Sequence, residues 1–117
     1  AEQLTNSIKN PHNKLKKNLL YLSAMKIIWT EKARKENKNC IDSIISNQGK
    51  DFLLSYLNRL DSLIKHLSIN PNIGEWDREI KSSKLSVTKQ IVLFYDIFDG
   101  QIVIRSFWNN YEKPLFL

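Results

Sequence analysis

The residues best suited to chemistry in this chain are lysines, arginines and tyrosines, because no histidine follows His66. A lysine or arginine can stabilise negative charge that develops on a reacting group, and a tyrosine hydroxyl can accept or donate a proton. These side chains also have ordinary structural roles, since strand-end lysines are usually solvated and a tyrosine in an apolar strand usually packs in the core. The candidates on or near the predicted strands are Arg78, Lys81, Lys84, Lys89, Tyr95, Arg105 and Tyr111.

Other kinds of site are not indicated by the sequence. It contains no cluster of metal ligands, no glycine-rich phosphate loop and no Ser-His-Asp arrangement, so we predict neither a metal nor a cofactor. His12 and His66 are predicted to be surface or packing residues. The single cysteine, Cys40, cannot form an internal disulfide, which favours a reducing compartment and hence a cytoplasmic protein.

Length and charge restrict the function classes further. The 117 residues suffice for one domain with a single core, and no apolar run approaches the roughly 20 residues of a membrane-spanning helix. The net charge of +6 favours a polyanionic partner, either nucleic acid or an acidic protein segment. Half of that charge lies in residues 1–24, so the rest of the chain is only mildly basic.

We predict that the folded domain spans residues 25–117 and that residues 1–24 form an extension. Met25–Thr30 has the character of a short strand that ends in a helix cap. In the extension, three leucines at helical spacing predict a short amphipathic helix over residues 14–22. This helix is expected to pack on the domain or on a neighbouring copy, or else to form a partly ordered tail.

Two helices are predicted after the first strand. The first runs from Glu31 to about Asn47, with Thr30 as its N-cap and an ending at Gly49 that is typical of a C-cap glycine. The second has an apolar stripe with alternating spacings of four and three residues, and it stops before Pro71. The stripe consists of Leu53, Leu57, Leu60, Ile64 and Leu67.

Three strands follow, which predicts an α+β fold with the order β-α-α-β-β-β. The runs Ile91–Phe98 and Gln101–Trp108 are rich in β-branched and aromatic residues, and the Asp99-Gly100 pair between them is a preferred hairpin turn. Another strand is expected from about Ile80 to Val87. In such a two-layer fold the helices cover one face of the sheet, and we expect functional residues on the other, partly open face.

Four segments in this order resemble the RelE/ParE superfamily of bacterial toxins from type II toxin–antitoxin systems. They are IIWTEKA at residues 27–33, INPNIG at 69–74, LSVTKQIVLFYDI at 85–97 and IRSFWNNYEKP at 104–114. The resemblance covers residues 25–117 and implies a small curved antiparallel sheet packed on a helical hairpin. Members of the superfamily either cut messenger RNA, usually on the ribosome, or poison DNA gyrase without catalysis. A cognate antitoxin neutralises them by wrapping around the toxin.

The resemblance gives the candidate residues specific roles, with one departure at the end of the domain. Many relatives carry a pattern similar to F-D-x-R-x-x-P, and here Asn109 and Tyr111 occupy the acidic and arginine positions. Tyrosine offers a hydroxyl but no positive charge, so Arg105 or Lys113 would have to supply that charge. The implied catalytic residues are Lys84, Lys89, Tyr95, Arg105 and Tyr111, and the implied RNA-binding residues are Arg78, Lys81 and Lys113.

The sequence therefore predicts a toxin of a type II system whose partner is a cognate antitoxin. A metal-independent mRNA endoribonuclease acting at the ribosome is favoured, and the alternatives are a non-enzymatic inhibitor of DNA gyrase and an inactive relative that only binds antitoxin. A homodimer is a further expectation. The leucines of residues 1–24 also suggest the hypothesis that this extension occupies the groove of an antitoxin helix.

Overall fold

The computed structural model describes residues 24–112, which form two helices and one five-stranded sheet. The predicted α+β fold with a helical hairpin on a sheet is confirmed. The predicted helix over residues 14–22 and the candidate Lys113 lie outside the described residues. In chain order the elements are β1 (Ile27–Trp29), α1 (Glu31–Asn47), α2 (Lys50–Ile69), β2 (Glu75–Asp77), β3 (Ser82–Ser86), β4 (Ile91–Phe98) and β5 (Gln101–Asn109).

The helical hairpin begins and turns at the residues that the sequence indicated. The hydroxyl of Thr30 accepts a hydrogen bond from the backbone N–H of Ala33 at 3.0 Å, which caps the N-terminus of α1. At the other end, the backbone N–H groups of Gln48 and Gly49 both donate to the carbonyl of Ile44. Gly49 has a φ of 92°, a conformation that glycine adopts without a steric penalty, and α2 begins at the next residue.

The sheet differs from the sequence-based expectation in two details. Its strand order is β1-β5-β4-β3-β2, and β1 runs parallel to β5 while the other pairs are antiparallel, so the sheet is mixed. A fifth strand, β2, pairs with β3 in a segment for which the sequence predicted no strand. The three residues of β2 carry too little apolar pattern to be recognised, and strand direction is not encoded in side-chain alternation.

The β4–β5 hairpin is confirmed, and it contains a bulge that the sequence did not predict. Asp99 and Gly100 form its turn with φ values of 54° and 73°. Phe94 lies opposite Ser106 and Tyr95 lies opposite Ile104, so Arg105 is left without a partner in the register. This extra residue shifts the alternation of β5 and keeps the Arg105 side chain out of the core.

One face of the sheet packs on the helices and forms the core. The rings of Trp29 and Phe107 stack with their centroids 5.4 Å apart, which ties β1 to β5. In β4, residues 91–95 are buried, whereas Ile97 and Phe98 are exposed. The buried core residues shared by helices and sheet include Ala33, Cys40, Ile44, Tyr56, Leu60, Leu67, Leu93, Tyr95, Ile102 and Ile104.

Candidate functional site

The sheet face that points away from the helices, here called the outer face, has an apolar middle. Because strand residues alternate between faces, Val92 and Phe94 of β4 point opposite to the core residue Leu93. Both are buried, yet neither belongs to the helix-packed core cluster. Trp108 lies opposite Val92 in the register. The centre of the face where we expected polar chemistry is therefore apolar.

Two predicted catalytic cations flank this apolar centre, and each is bound to a carboxylate. Lys84 Nζ lies 3.1 Å from Asp77 Oδ2, and Arg105 Nη1 lies 2.6 Å from Asp96 Oδ2. The second carboxylate is held further by Ser82, whose Oγ lies 2.9 Å from Asp96 Oδ1. Much of the charge of Lys84 and Arg105 is thereby neutralised within the protein, which reduces what they can offer to a phosphate.

The carboxylate of Asp77 is held by the turn that follows β2. It accepts hydrogen bonds from the backbone N–H groups of Ile80 at 2.9 Å and Glu79 at 3.0 Å, in addition to its contact with Lys84. These donors, chiefly the Ile80 N–H and then Lys84, hold the pKa of Asp77 below its usual range. Asp77 thus stays ionised and organises the turn.

Tyr95 is a structural residue. Its side chain is 1% exposed and lies in the helix-packed core. Its hydroxyl donates to the carbonyl of Pro71 at 2.7 Å and accepts from the N–H of Gly74 at 2.9 Å. A Cβ on Gly74 would lie 2.5 Å from this hydroxyl oxygen, so glycine is required there for space. Its hydroxyl connects β4 to the segment between α2 and β2, and the catalytic role expected of Tyr95 stays a prediction.

Two other predicted catalytic residues line a cleft where the helical hairpin meets the β3–β4 turn, here called the hairpin cleft. Lys89 and Tyr111 belong to this cleft, whose volume is about 630 Å³. Gln48 Nε2 lies 3.5 Å from the hydroxyl of Tyr111. Arg59 of α2 also lines the cleft, and the sequence analysis missed it because that helix was considered only as a packing element.

The two predicted RNA-binding residues within the described range, Arg78 and Lys81, do not line this cleft. Arg78 and Lys81 both lie in the turn between β2 and β3, and both are exposed. Lys81 adopts a φ of 60°. That turn lies at one end of the sheet, and the β3–β4 turn with Lys89 lies at the other.

The predicted site residues thus lie in several separate groups and do not form one site. The cations of the β2–β3 turn and of the hairpin cleft lie at opposite ends of β4, whose eight residues span roughly 25 Å. Between them, Lys84 and Arg105 sit on either side of Phe94 at about two strand spacings, roughly 10 Å. No group of three or more metal-ligand side chains occurs in residues 24–112, and no helix within that range is long and apolar enough to cross a membrane.

A protein-family model matches the sequence of the segment that contains these helices and strands. The model of the ParE toxin of the type II toxin–antitoxin system parDE matches residues 27–110, which is most of the chain. This chain belongs to the ParE toxin family. The resemblance to the RelE/ParE superfamily is thereby confirmed. A comparison with curated protein sequences gave no match.

Solved toxin structures share the fold of this ParE-family chain at low sequence identity. A chromosomal ParDE system from P. aeruginosa matches with a TM-score of 0.61 and 17% identity over 74% of this chain and 97% of its own. YafQ from E. coli strain BL21(DE3) matches with a TM-score of 0.52 and 17% identity over 80% and 99%. A YoeB dimer from Staphylococcus aureus matches with a TM-score of 0.51 and 16% identity over 73% and 95%. At such identities these likenesses establish the fold alone.

Proposed function

We propose that this toxin acts by binding a protein target, DNA gyrase, and does not cleave RNA. The observation that carries the proposal is the separation and neutralisation of its candidate catalytic groups. Membership of the ParE toxin family agrees with a target of this kind. The sequence favoured an endoribonuclease. The separation and ion pairing of the candidate groups instead favour the alternative, an inhibitor of DNA gyrase.

RNA cleavage by attack of a 2′-hydroxyl needs a proton acceptor, a proton donor and a cation within reach of one phosphate. On the outer face, the cations of Lys84 and Arg105 are paired with carboxylates and flank an apolar strand centre. The hydroxyl of Tyr95 is engaged in the core. Lys89 and Tyr111 form a separate group in the hairpin cleft. Among the described residues that line this cleft, Glu112 is the single carboxylate, and there is no histidine.

The proposal includes neutralisation by a cognate antitoxin. The structural neighbours include a ParDE system and a complex described as the E. coli DinJ-YafQ toxin–antitoxin complex. The net charge of +6 suits an acidic antitoxin segment.

The test compares two activities of the same purified full chain. We expect it to inhibit DNA supercoiling by gyrase at stoichiometric excess, and to leave mRNA intact in a translating extract. Cuts at defined mRNA positions, with gyrase activity unchanged, would refute the proposal. In that case Lys84→Ala and Arg105→Ala test whether the outer face performs the cleavage. If it does, each substitution should reduce cutting at least tenfold.

A further inference from the structure

A second concave surface lies at the end of the sheet where the β4–β5 hairpin and the β2–β3 turn meet. We call it the hairpin-tip groove; its volume is about 710 Å³. It is lined by residues from β2, β3, β4 and β5, and also by Thr30, which follows β1. The groove thus crosses the full width of the sheet, on a rigid support of paired strands. It shares Arg105 and Asp96 with the outer face, and Lys81 with the β2–β3 turn.

The groove exposes large apolar side chains that a folded domain usually buries. Phe98 is 72% exposed and Trp76 is 60% exposed, and Ile97, which precedes Phe98 in β4, is also exposed. Aromatic residues grouped around a concavity are typical of the central contacts of protein interfaces. The aliphatic side chain of Val103 extends the apolar lining. This composition indicates a partner that supplies bulky apolar side chains.

Positive charge lies beside these apolar residues. Lys81 lines the groove, is exposed and forms no ion pair with any residue of the described range 24–112. Arg105 also lines it; Asp96, which lines the groove as well, offsets much of its charge, while the Arg105 side chain stays 60% exposed. An arginine fork has further N–H donors that can bind a carboxylate. The groove therefore complements an acidic segment.

We propose that the hairpin-tip groove docks a protein segment that carries both acidic and bulky apolar side chains, and that this segment belongs to the target. The inference rests on the proposed function, in which the toxin acts by binding a protein. Single-stranded nucleic acid is the less suitable occupant, because aliphatic side chains share the lining with the aromatic ones.

The first experiment compares two double variants of the full chain in the gyrase supercoiling assay. The test variant carries Phe98→Ser and Lys81→Glu, which remove an exposed aromatic and reverse a charge in the groove. The control carries Leu54→Ser and Lys35→Glu; Leu54 is 56% exposed, Lys35 is exposed, and neither lines the groove or the hairpin cleft. Thermal melting followed by circular dichroism verifies that both variants are folded.

We expect the test variant to need at least a tenfold higher concentration for half-inhibition, and the control to match the wild type. Equal inhibition by wild type and test variant would overturn the inference while the proposed function stands. If the wild type itself leaves gyrase unaffected, the proposed function fails, and a second measurement then decides the inference.

That measurement is an NMR titration of the ¹⁵N-labelled chain with a short synthetic peptide of aspartate, leucine and tryptophan. We expect shifts of the Trp76 indole N–H and of the backbone amides of Lys81 and Phe98, and no such shifts with a peptide in which lysine replaces aspartate. Absence of shifts with the acidic peptide overturns the inference. Stronger shifts at the same residues with oligothymidylate also overturn it, because they identify nucleic acid as the occupant.

Discussion

Tyr95→Phe tests whether this residue is structural, and its effect can be worked out from two hydrogen bonds. The substitution removes the hydroxyl that donates to the Pro71 carbonyl and accepts from the Gly74 N–H. A buried polar group that loses its partner costs about 1–3 kcal/mol. Since Pro71 and Gly74 are only half-buried, water can replace part of each bond. We therefore expect the free energy of unfolding to fall by about 1–2 kcal/mol.

Gly74→Ala disturbs the same contact from its other side and leaves the tyrosine chemically intact. The new Cβ would lie 2.5 Å from the Tyr95 hydroxyl oxygen and 2.6 Å from its Cε1. Overpacking of this kind costs about 1–3 kcal/mol. Removal of the hydroxyl does not relieve the contact with Cε1, so the double variant should not recover the stability of the wild type.

Urea denaturation monitored by tryptophan fluorescence measures both losses, and thermal melting provides a second estimate. Each kcal/mol should lower the melting temperature by about 4–8 °C in a domain of this size. Tyr111→Phe is the matched control, because the Tyr111 hydroxyl is exposed and contacts only Gln48 at 3.5 Å among the described side chains. Its unfolding free energy should change by less than about 0.5 kcal/mol.

Growth inhibition separates a structural role from a catalytic one. At a temperature where the variant is still folded, Tyr95→Phe should arrest growth as the wild type does. The argument would be refuted by a Tyr95→Phe variant that is as stable as the wild type and yet harmless. That result would mean that the hydroxyl takes part in the toxin's chemistry and does not stabilise the fold.

Three further predictions concern other parts of the described structure. Thr30→Ala should cost about 1–2 kcal/mol in urea denaturation, because it removes the cap of α1, whereas Thr30→Ser should stay close to the wild type. Because the pKa of Asp77 is lowered in the fold, its stabilisation is present above about pH 4 and is lost as the pH falls further; the stability gap between wild type and Asp77→Asn should therefore narrow in acid, and a constant gap would contradict this origin. Burial, with smaller effects of Glu112 and Glu36, raises the pKa of Cys40 to about 11, so iodoacetamide at pH 8 should label it slowly in native buffer and readily in urea, as measured by mass spectrometry; equal rates would contradict the buried placement.

The helices, the hairpin and the fold class were predictable because their signals are local. The cap at Thr30, the glycine at position 49 and the Asp99-Gly100 turn each act within a few residues of chain. The bulge at Arg105 was not predicted. It changes the spacing of the buried residues of β5, which is two residues from position 102 to 104 and three residues from position 104 to 107. The strand β2 was missed because it has only three residues, two of them exposed, which is too short to show a periodic pattern.

The candidate site was harder to predict, because side chains with the same chemistry occupied different surroundings. Lys84 and Lys81 are three residues apart, yet one is bound to Asp77 and the other lines the hairpin-tip groove without an ion pair in the described range. The sequence pattern did not indicate that the aromatic side chains of Trp76 and Phe98 are exposed. Arg59 was overlooked because its position on α2 conveys nothing about the cleft beside it.

By itself, the sequence determined the kind of protein: an α+β domain of the RelE/ParE type, with its hairpin, its helix ends and its family. These properties follow from short-range conformational preferences and from apolar patterns that decide which faces are buried. The tertiary structure alone decided which cations are neutralised, which hydroxyl is engaged and which aromatic side chains stay in water. Those outcomes depend on contacts between residues far apart in the chain, such as Tyr95 with Pro71, which no local pattern specifies.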